Sequence, residues 1–236
     1  MREIEFICGY TEHASGSVLA SFGGTKVICT VFAEEGVPNF RSGDEGWLTA
    51  EYSMLPGSTF TRKKRRTISG ELDGRTVEIQ RLIGRSLRSA INLSEIGPRT
   101  LYVDCDVIQA DGGTRTVAIS GAYLALRLAI DDLMQKGYLW NNPLEKSVAA
   151  VSVGMVDDKV VVDLSFQQDS RAQVDFNVVM DDQGNYVEVQ GTGEKISYSR
   201  DQLDEMLDRA KEGIEEILRK QEQAYEDYRS SQPQPW

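Results

Sequence analysis

The residues best suited to chemistry in this chain form the run Gln109-Ala110-Asp111-Gly112-Gly113-Thr114-Arg115-Thr116. Before it stands an alternating apolar run (101–108) typical of a strand, and after it an apolar run (117–134) typical of a helix. Glycines at such a junction let the backbone turn tightly and approach a ligand, and the first N–H groups of a helix favour anions. Arg115 adds a planar fork that matches phosphate oxygens. The run predicts a phosphate-binding turn that differs from the Walker pattern. The alternative is an ordinary strand-to-helix turn with a surface arginine.

Two pairs of aspartates could hold a divalent cation. Asp169 and Asp175 stand six positions apart, just before and at the start of a predicted strand. On an extended chain this even spacing would put both carboxylates on one face, where they could bind Mg²⁺ or Mn²⁺ and leave room for a substrate phosphate. Asp104 and Asp106 form a competing pair on another strand. For either pair the alternative is a polar strand face turned to solvent.

Positive charge is concentrated in one part of an acidic chain. The net charge is −11, yet residues 62–99 carry ten Lys/Arg against four Asp/Glu, a local charge of +6 that leaves −17 for the rest. The run Arg62-Lys63-Lys64-Arg65-Arg66 lies among Thr, Ser and Gly, which favours a loop. With no aromatic residue interleaved, this basic loop fits contact with an RNA phosphate backbone better than base stacking. The alternative is a solvated surface loop.

Composition excludes several kinds of active site. The single histidine, His13, excludes most Ser-His-Asp, Cys-His and multi-histidine zinc chemistry, so an enzyme here must work with carboxylates and arginines, with or without a bound metal ion. The three cysteines form no C-x-x-C pair and lie in strand-like segments, which predicts buried, reduced thiols in a cytoplasmic protein. No apolar run is long enough to span a bilayer, and no signal-peptide pattern is present, so we expect no membrane partner.

These residues need a scaffold of helices packed on mixed sheets, an α+β fold. The periodicity predicts a three-strand meander (4–31), strands at 47–55 and 101–108, hairpins at 148–166 and 174–190, and helices at 74–96 and 116–136. A last helix begins at Ser199, which forms a capping box with Gln202. We expect one domain over residues 1–229 and a disordered tail over 230–236.

Several separate segments resemble one family, the bacterial ribonuclease PH family of phosphate-dependent tRNA nucleotidyltransferases. The matches follow the family's order from residue 1 to about residue 225. They are Tyr10-Thr11-Glu12-His13-Ala14-Ser15-Gly16-Ser17, Gly46-Trp47-Leu48-Thr49-Ala50-Glu51-Tyr52, Gly74-Arg75-Thr76, Glu78-Ile79-Gln80-Arg81-Leu82-Ile83-Gly84-Arg85, Asp104 to Thr116, Asp169-Ser170, Asp175-Phe176-Asn177-Val178-Val179-Met180 and Val187-Glu188-Val189-Gln190-Gly191-Thr192.

The resemblance implies a single-domain ribonuclease-PH-like fold, a homo-hexamer assembled as a trimer of dimers, and 3′→5′ trimming of tRNA precursors and other structured RNA. Inorganic phosphate would attack and nucleoside diphosphates would leave, with Mg²⁺ or Mn²⁺ on Asp169 and Asp175. By the same resemblance the phosphate-binding residues fall on Arg75, Gly113, Thr114 and Arg115, with Arg115 and the two aspartates catalytic. The tRNA-binding loop falls on Arg62, Lys63, Lys64, Arg65 and Arg66.

The chain also departs from the family. Members usually carry a basic element before the position of Met1, and the arginines often found after Leu-Pro and Gly-Val-Pro are here Gly57 and Asn39. One rival reading is a catalytically weak, RNA-binding ring subunit of the exosome type. It is disfavoured because the phosphate-binding arginines and the paired aspartates are all retained. A metal-dependent hydrolytic nuclease is disfavoured because two-metal sites generally need more carboxylates.

Overall fold

The computed structural model describes residues 1–40, 45–64 and 73–232. Its strands are β1 (Ile4–Cys8), β2 (Gly16–Phe22), β3 (Thr25–Glu35), β4 (Trp47–Met54), β5 (Arg99–Gln109), β6 (Val148–Val156), β7 (Lys159–Val162), β8 (Val174–Asp181) and β9 (Tyr186–Thr192). Its α-helices are α1 (Gly74–Arg88), α2 (Thr114–Gln135), α3 (Phe166–Asp169) and α4 (Arg200–Ser231), and a 3₁₀ turn covers Leu93–Glu95. The α+β class predicted from the sequence is confirmed.

The first sheet brings two helix starts to one edge. Its strand order is β1-β2-β3-β5-β4, antiparallel except for the parallel pair β4 and β5, which α1 connects as a crossover. Because parallel strands end at the same edge of a sheet, the segments that follow β4 and β5 lie side by side. The start of α1, with Arg75, and the turn into α2, with Arg115, are therefore neighbours although forty residues separate them in sequence.

The second sheet is antiparallel, with the order β7-β6-β8-β9. On β8, Asp175 and Asn177 pair in register with Gly154 and Ser152 of β6. Because side chains two residues apart share a face of a strand, Asp175 and Asn177 point to the same side.

Helix α2 lies between the sheets and forms the centre of the core. It packs on β2 and β3 of the first sheet and on β6 of the second, and its sixteen buried residues leave it hydrophobic almost all round, as expected for an enclosed helix. Its contact with β2 depends on Gly16, where an added Cβ would lie 2.0 Å from the carbonyl oxygen of Ala125. This fixed position of α2 sets where its N-terminus opens between the two sheets.

Helix α4 packs on β6, β7 and β8 of the second sheet and on β1 of the first. The predicted capping box is confirmed: the Ser199 hydroxyl accepts from the backbone N–H of Gln202, and the Gln202 side chain accepts from that of Ser199. The buried face of α4 includes Met206, Ala210, Ile214 and Ile217.

Several predicted boundaries differ from the structure. The helix expected at 74–96 ends at Arg88, and a 3₁₀ turn at Leu93–Glu95 follows it. The hairpin expected over 148–166 ends at Val162, the last residue of β7, and Ser165 caps the short helix α3 with its own capping box. Helix α4 continues through Ser231, two residues into the segment expected to be a disordered tail, and residues 233–236 lie outside the described ranges. The cysteines are free thiols, with Cys29 and Cys105 buried and Cys8 half-buried. Within the described ranges, no helix is both long and apolar enough to cross a membrane.

Candidate active site

A cavity of about 380 Å³ opens where the start of α2 meets the second sheet. Its lining includes Arg75, Gly113, Thr114, Arg115, Asp169 and Asp175, so all six residues predicted to bind phosphate or metal lie around one space. The other lining residues are Met54, Thr59, Lys63, Ala110, Gly112, Ser152, Phe166 and Asn177. The cations come from the first sheet and its helices, and the two aspartates come from the second sheet and α3.

The backbone of the turn Gly112–Gly113 strongly favours glycine. Both residues have a positive φ, +79° and +62°, which side chains on L-residues rarely allow. A Cβ on Gly112 would also lie 2.3 Å from the carbonyl oxygen of Leu164, on the loop that leads to α3. Gly113 caps α2 without any side chain, so that the first N–H groups of the helix stand at the cavity wall.

Buried hydroxyl groups on the first sheet fix this turn. The Thr25 hydroxyl accepts from the N–H of Asp111 at 2.9 Å and donates to the carbonyl oxygen of Gly112 at 2.6 Å. The buried Tyr52 hydroxyl donates to the Thr114 hydroxyl at 2.8 Å. Neither Thr25 nor Tyr52 was singled out from the sequence as a site residue, because their contacts span dozens of positions.

Arg115 is held from two sides. Its Nη1 donates to Glu78 of α1 at 3.2 Å and to the side-chain oxygen of Gln190 of β9 at 3.1 Å. Gln190 in turn donates to Glu78 and Glu188. Because both contacts use one nitrogen, the rest of the planar fork remains available to an anion in the cavity.

The two aspartates meet, but not for the reason the spacing suggested. Asp169 ends helix α3 and Asp175 lies on β8, so the chain between them turns rather than running extended. The expectation of one extended face was therefore wrong, and the turn back from α3 into β8 brings both side chains to the cavity instead. Asn177, two residues after Asp175, also lines the cavity, and its period-two spacing was a sequence signal that could have found it.

Ionisation of Asp169 and Asp175 is unfavourable in the free cavity, because the pKa values of both are raised. Burial raises the pKa of Asp175 to about 6, with a further contribution from the negative charge of Asp169, although Arg115 and Arg75 oppose the shift. Burial also raises the pKa of Asp169, again against the pull of Arg75 and Arg115. A bound cation would relieve this repulsion.

The competing aspartates lie on the first sheet. Burial, Glu51 and Asp106 raise the pKa of Asp104. Asp106 lines a second cavity of about 370 Å³ that shares Met54, Lys63 and Arg75 with the first. In the described part of the chain no group of three or more His, Cys, Asp or Glu side chains could hold a metal ion.

The basic loop reaches the cavity itself. Arg62, Lys63 and Lys64 are exposed. Lys63 lines both cavities and Lys64 lines the second. Arg65 and Arg66 lie outside the described residues, so their RNA-binding role stays a prediction.

Arg2 joins the two halves of the site. Its side chain reaches Asp163 with two hydrogen bonds, at 2.5 and 3.0 Å, and donates from Nη1 to the carbonyl oxygen of Asp111. The Asp163 side chain is fully buried, and the Asp111 carboxylate accepts from the N–H of Phe166 at 3.2 Å. Arg2 therefore connects the turn formed by Asp111, Gly112 and Gly113, called the phosphate turn below, to the loop that carries α3 and Asp169. No sequence signal singled it out.

The fold and the site define an α+β protein in which two arginines, the start of a helix and two aspartates surround one cavity. Residues 1–130 match the 3′ exoribonuclease family, domain 1, and residues 146–213 match domain 2 of the same family. The chain belongs to this family. The family's two parts meet in one hydrophobic cluster among the described residues, and the extent of the single domain expected over 1–229 stays a prediction.

Relatives and solved structures agree with the match. Ribonuclease PH of Corynebacterium glutamicum is 52% identical over 225 residues, covering 95% of this chain and 92% of the relative. Ribonuclease PH of Mycobacterium leprae is 54% identical over 212 residues, covering 89% and 82%. The resemblance to the ribonuclease PH family is thereby confirmed.

Among solved structures, rice Rrp46 has a TM-score of 0.76 at 17% identity, covering 94% of both chains. The Archaeoglobus fulgidus exosome with RNA bound to the active site has a TM-score of 0.77 at 22% identity, covering 93% of this chain and 88% of that one. At these identities the likeness concerns the fold.

A double-mutant cycle tests the ion pair of Arg2 and Asp163. Arg2→Ala should lower the free energy of unfolding by about 3–5 kcal/mol, because it leaves a buried carboxylate unpaired. Asp163→Asn removes that charge and keeps a residue type that tolerates the φ of +60° found there. The double variant should therefore be more stable than Arg2→Ala alone in urea denaturation. Strictly additive losses would contradict the coupling.

Asp175→Asn should stabilise the metal-free protein at pH 8. Because the folded protein raises the pKa of Asp175 above its ordinary value of 3.8, ionisation destabilises the fold above about pH 6. In EDTA at pH 8 the variant should gain about 1–2 kcal/mol. That gain should vanish as the pH falls from 6 towards 4. Urea denaturation at pH 8 and at pH 4 measures the gain in stability. Asp182→Asn, on an exposed turn, is the control. A loss of stability at pH 8 would contradict the repulsion.

Proposed function

We propose that the cavity between α2 and the second sheet is where this chain carries out phosphorolysis. The chain acts as a phosphate-dependent tRNA nucleotidyltransferase, a 3′→5′ exoribonuclease that trims tRNA precursors and releases nucleoside diphosphates. The observation that carries the choice of site is the convergence of Arg75, the Gly113–Arg115 turn, Asp169 and Asp175 on one space.

The reaction explains why the cavity needs no protein nucleophile. An oxygen of hydrogen phosphate attacks the phosphorus of the terminal phosphodiester, and the bond from that phosphorus to the 3′ oxygen of the preceding nucleotide breaks. The departing oxygen takes a proton originating from the attacking phosphate, so the products are a nucleoside 5′-diphosphate and an RNA with a new 3′-hydroxyl. Holding the two phosphates in line and neutralising their charge accounts for most of the catalysis.

Each residue has a role that its position supports. Arg115 and the first N–H groups of α2 bind the attacking phosphate, and Tyr52 orients the Thr114 hydroxyl beside it. Arg75 also lines the cavity, at the start of α1, where it neutralises the scissile phosphate. Glu78 and Gln190 keep the guanidinium of Arg115 in one orientation.

The paired aspartates fit Mg²⁺ or Mn²⁺. Two carboxylates that repel each other, beside the amide of Asn177, provide the hard oxygen ligands these cations prefer, and substrate phosphate and water would complete the shell. The ion would supply positive charge at the phosphodiester as the bond breaks.

We also propose a homo-hexamer, a trimer of dimers, working in the cytoplasm on tRNA precursors and other structured RNA. The outer face of the first sheet supports an assembly, because Ile7, Phe32 and Tyr102 expose apolar surface there. The free thiols fit a reducing compartment. A catalytically weak ring subunit is disfavoured because both halves of the site are retained around one cavity.

Arg115→Ala tests the phosphate site. The variant should lose about 30- to 1000-fold in phosphorolysis, because a charge-assisted phosphate contact is worth about 2–4 kcal/mol. RNA binding without phosphate should change little. Product formation from a 3′-extended tRNA, with and without phosphate, measures the effect. Arg115→Lys should recover only part of it, since it restores the charge but not the fork. The control is Arg209→Ala, on the solvent-exposed face of α4. Full turnover of Arg115→Ala at saturating phosphate would refute the assignment.

The basic loop should divide into two functions. Neutralising Arg62, Arg65 and Arg66 together should weaken tRNA binding and lower its log–log salt slope by about 0.7–0.9 for each lost phosphate contact. Cleavage of a short oligonucleotide should change little. Lys63→Gln should impair both substrates, because Lys63 lines the cavity. Rate and binding measurements on both RNAs across a salt series distinguish these effects. Equal losses on both RNAs from the triple variant would mean that the loop shapes the site rather than capturing tRNA.

A further inference from the structure

Two phenylalanines at the mouth of the cavity are exposed to water without an obvious structural reason. Phe60 is 91% exposed and Phe166 is 49% exposed. Their ring centroids are 6.0 Å apart, and the rings are tilted by 48°. Phe166 lines the cavity directly, and Phe60 follows Thr59, which also lines it. Exposed aromatic surface beside a phosphate site is unfavourable in the free protein, so a ligand that covers it is the natural explanation.

Both rings are mounted on the phosphate turn. The N–H of Ala110 donates to the carbonyl oxygen of Ser58 at 2.8 Å, which anchors the segment carrying Phe60. The N–H of Phe166 donates to the Asp111 carboxylate at 3.2 Å, which anchors the other ring. Neighbouring residues of one turn therefore hold both segments close to the phosphate-binding N–H groups of α2.

We propose that Phe60 and Phe166 form a stacking site for a nucleobase near the 3′ end of the RNA. A nucleobase presents a flat face to an aromatic ring, and its own phosphate would then lie within reach of the cavity and of Lys63. Every base has such a face, so the site accepts any sequence. The sequence interpretation of the basic loop as a contact for the phosphate backbone alone overlooked Phe60, which lies two positions before Arg62.

Kinetics on a short single-stranded oligoribonucleotide test the proposal, which rests on the proposed function. Base stacking on an aromatic side chain is worth about 1–3 kcal/mol, or about 5- to 150-fold. Phe60→Ala and Phe166→Ala should raise KM for the RNA by such factors and leave KM for phosphate and the salt slope unchanged. Tyrosine at either position should restore binding, and leucine, which is apolar but has no ring, should not.

An abasic nucleotide makes the test specific. Placed in turn at each of the last few positions, it should weaken binding to the wild-type protein at one position by the factor that the alanine variants lose. Combined with Phe60→Ala or Phe166→Ala, the same abasic nucleotide should cost little more. The control is Trp140→Ala: Trp140 is 93% exposed and lies beyond the far end of α2, about 30 Å from the phosphate turn by helix length.

Three outcomes would overturn the stacking site. These are unchanged KM for RNA in the alanine variants, full recovery with leucine, or a change of oligomeric state in sedimentation velocity, which would assign the rings to a contact between protein chains. Failure of the proposed function looks different, because the wild-type protein would then form no product that depends on phosphate.

Discussion

The site depends on one buried ion pair that crosses the molecule. Asp163 is fully buried, and Arg2, at the far end of the sequence, satisfies it with three hydrogen bonds from its backbone and side chain. The same guanidinium donates to the phosphate turn at Asp111. Leaving the buried carboxylate unpaired would cost several kcal/mol of folding free energy. The native structure is therefore stable only when Arg2 and the segment around Asp163 lie together. The phosphate-binding half and the acidic half of the cavity are thereby fixed relative to each other.

That arrangement places opposite charges across a small space. Arg75 and Arg115 come from helix starts at one edge of the first sheet, whereas Asp169 and Asp175 come from the second sheet and α3. The arginines lower the pKa of both aspartates, but burial outweighs them, and the aspartates remain a repelling pair. The free site therefore stores unfavourable electrostatics that an anion on one side and a cation on the other would relieve. A strained, charged cavity of this kind is typical of active sites.

The sequence correctly predicted those features that depend on interactions between residues close together in the chain. The strand-to-helix junction at Gly112–Gly113, the meander and the capping box at Ser199 depend on neighbours within a few residues, and all were found. The pairing of Asp169 with Asp175 was expected for the wrong reason, because an even spacing presumes an extended chain and α3 interrupts it. The contacts of Arg2, Thr25 and Tyr52 with the site could not be predicted, because the sheets bring together residues that no periodicity connects.

An acidic chain can still bind RNA because charge acts locally. At a Debye length of about 8 Å, the charges that line the cavity, Arg75, Arg115 and Lys63 against two aspartates, act on the RNA more strongly than the more distant acidic surface of α4. Charge alone would hold the RNA backbone without placing its last phosphodiester. The aromatic pair supplies the missing constraint, since a stacked base fixes one nucleotide at a set distance from the α2 N-terminus. The cations therefore hold the RNA backbone near the cavity, and the aromatic pair determines which nucleotide lies at the phosphate site.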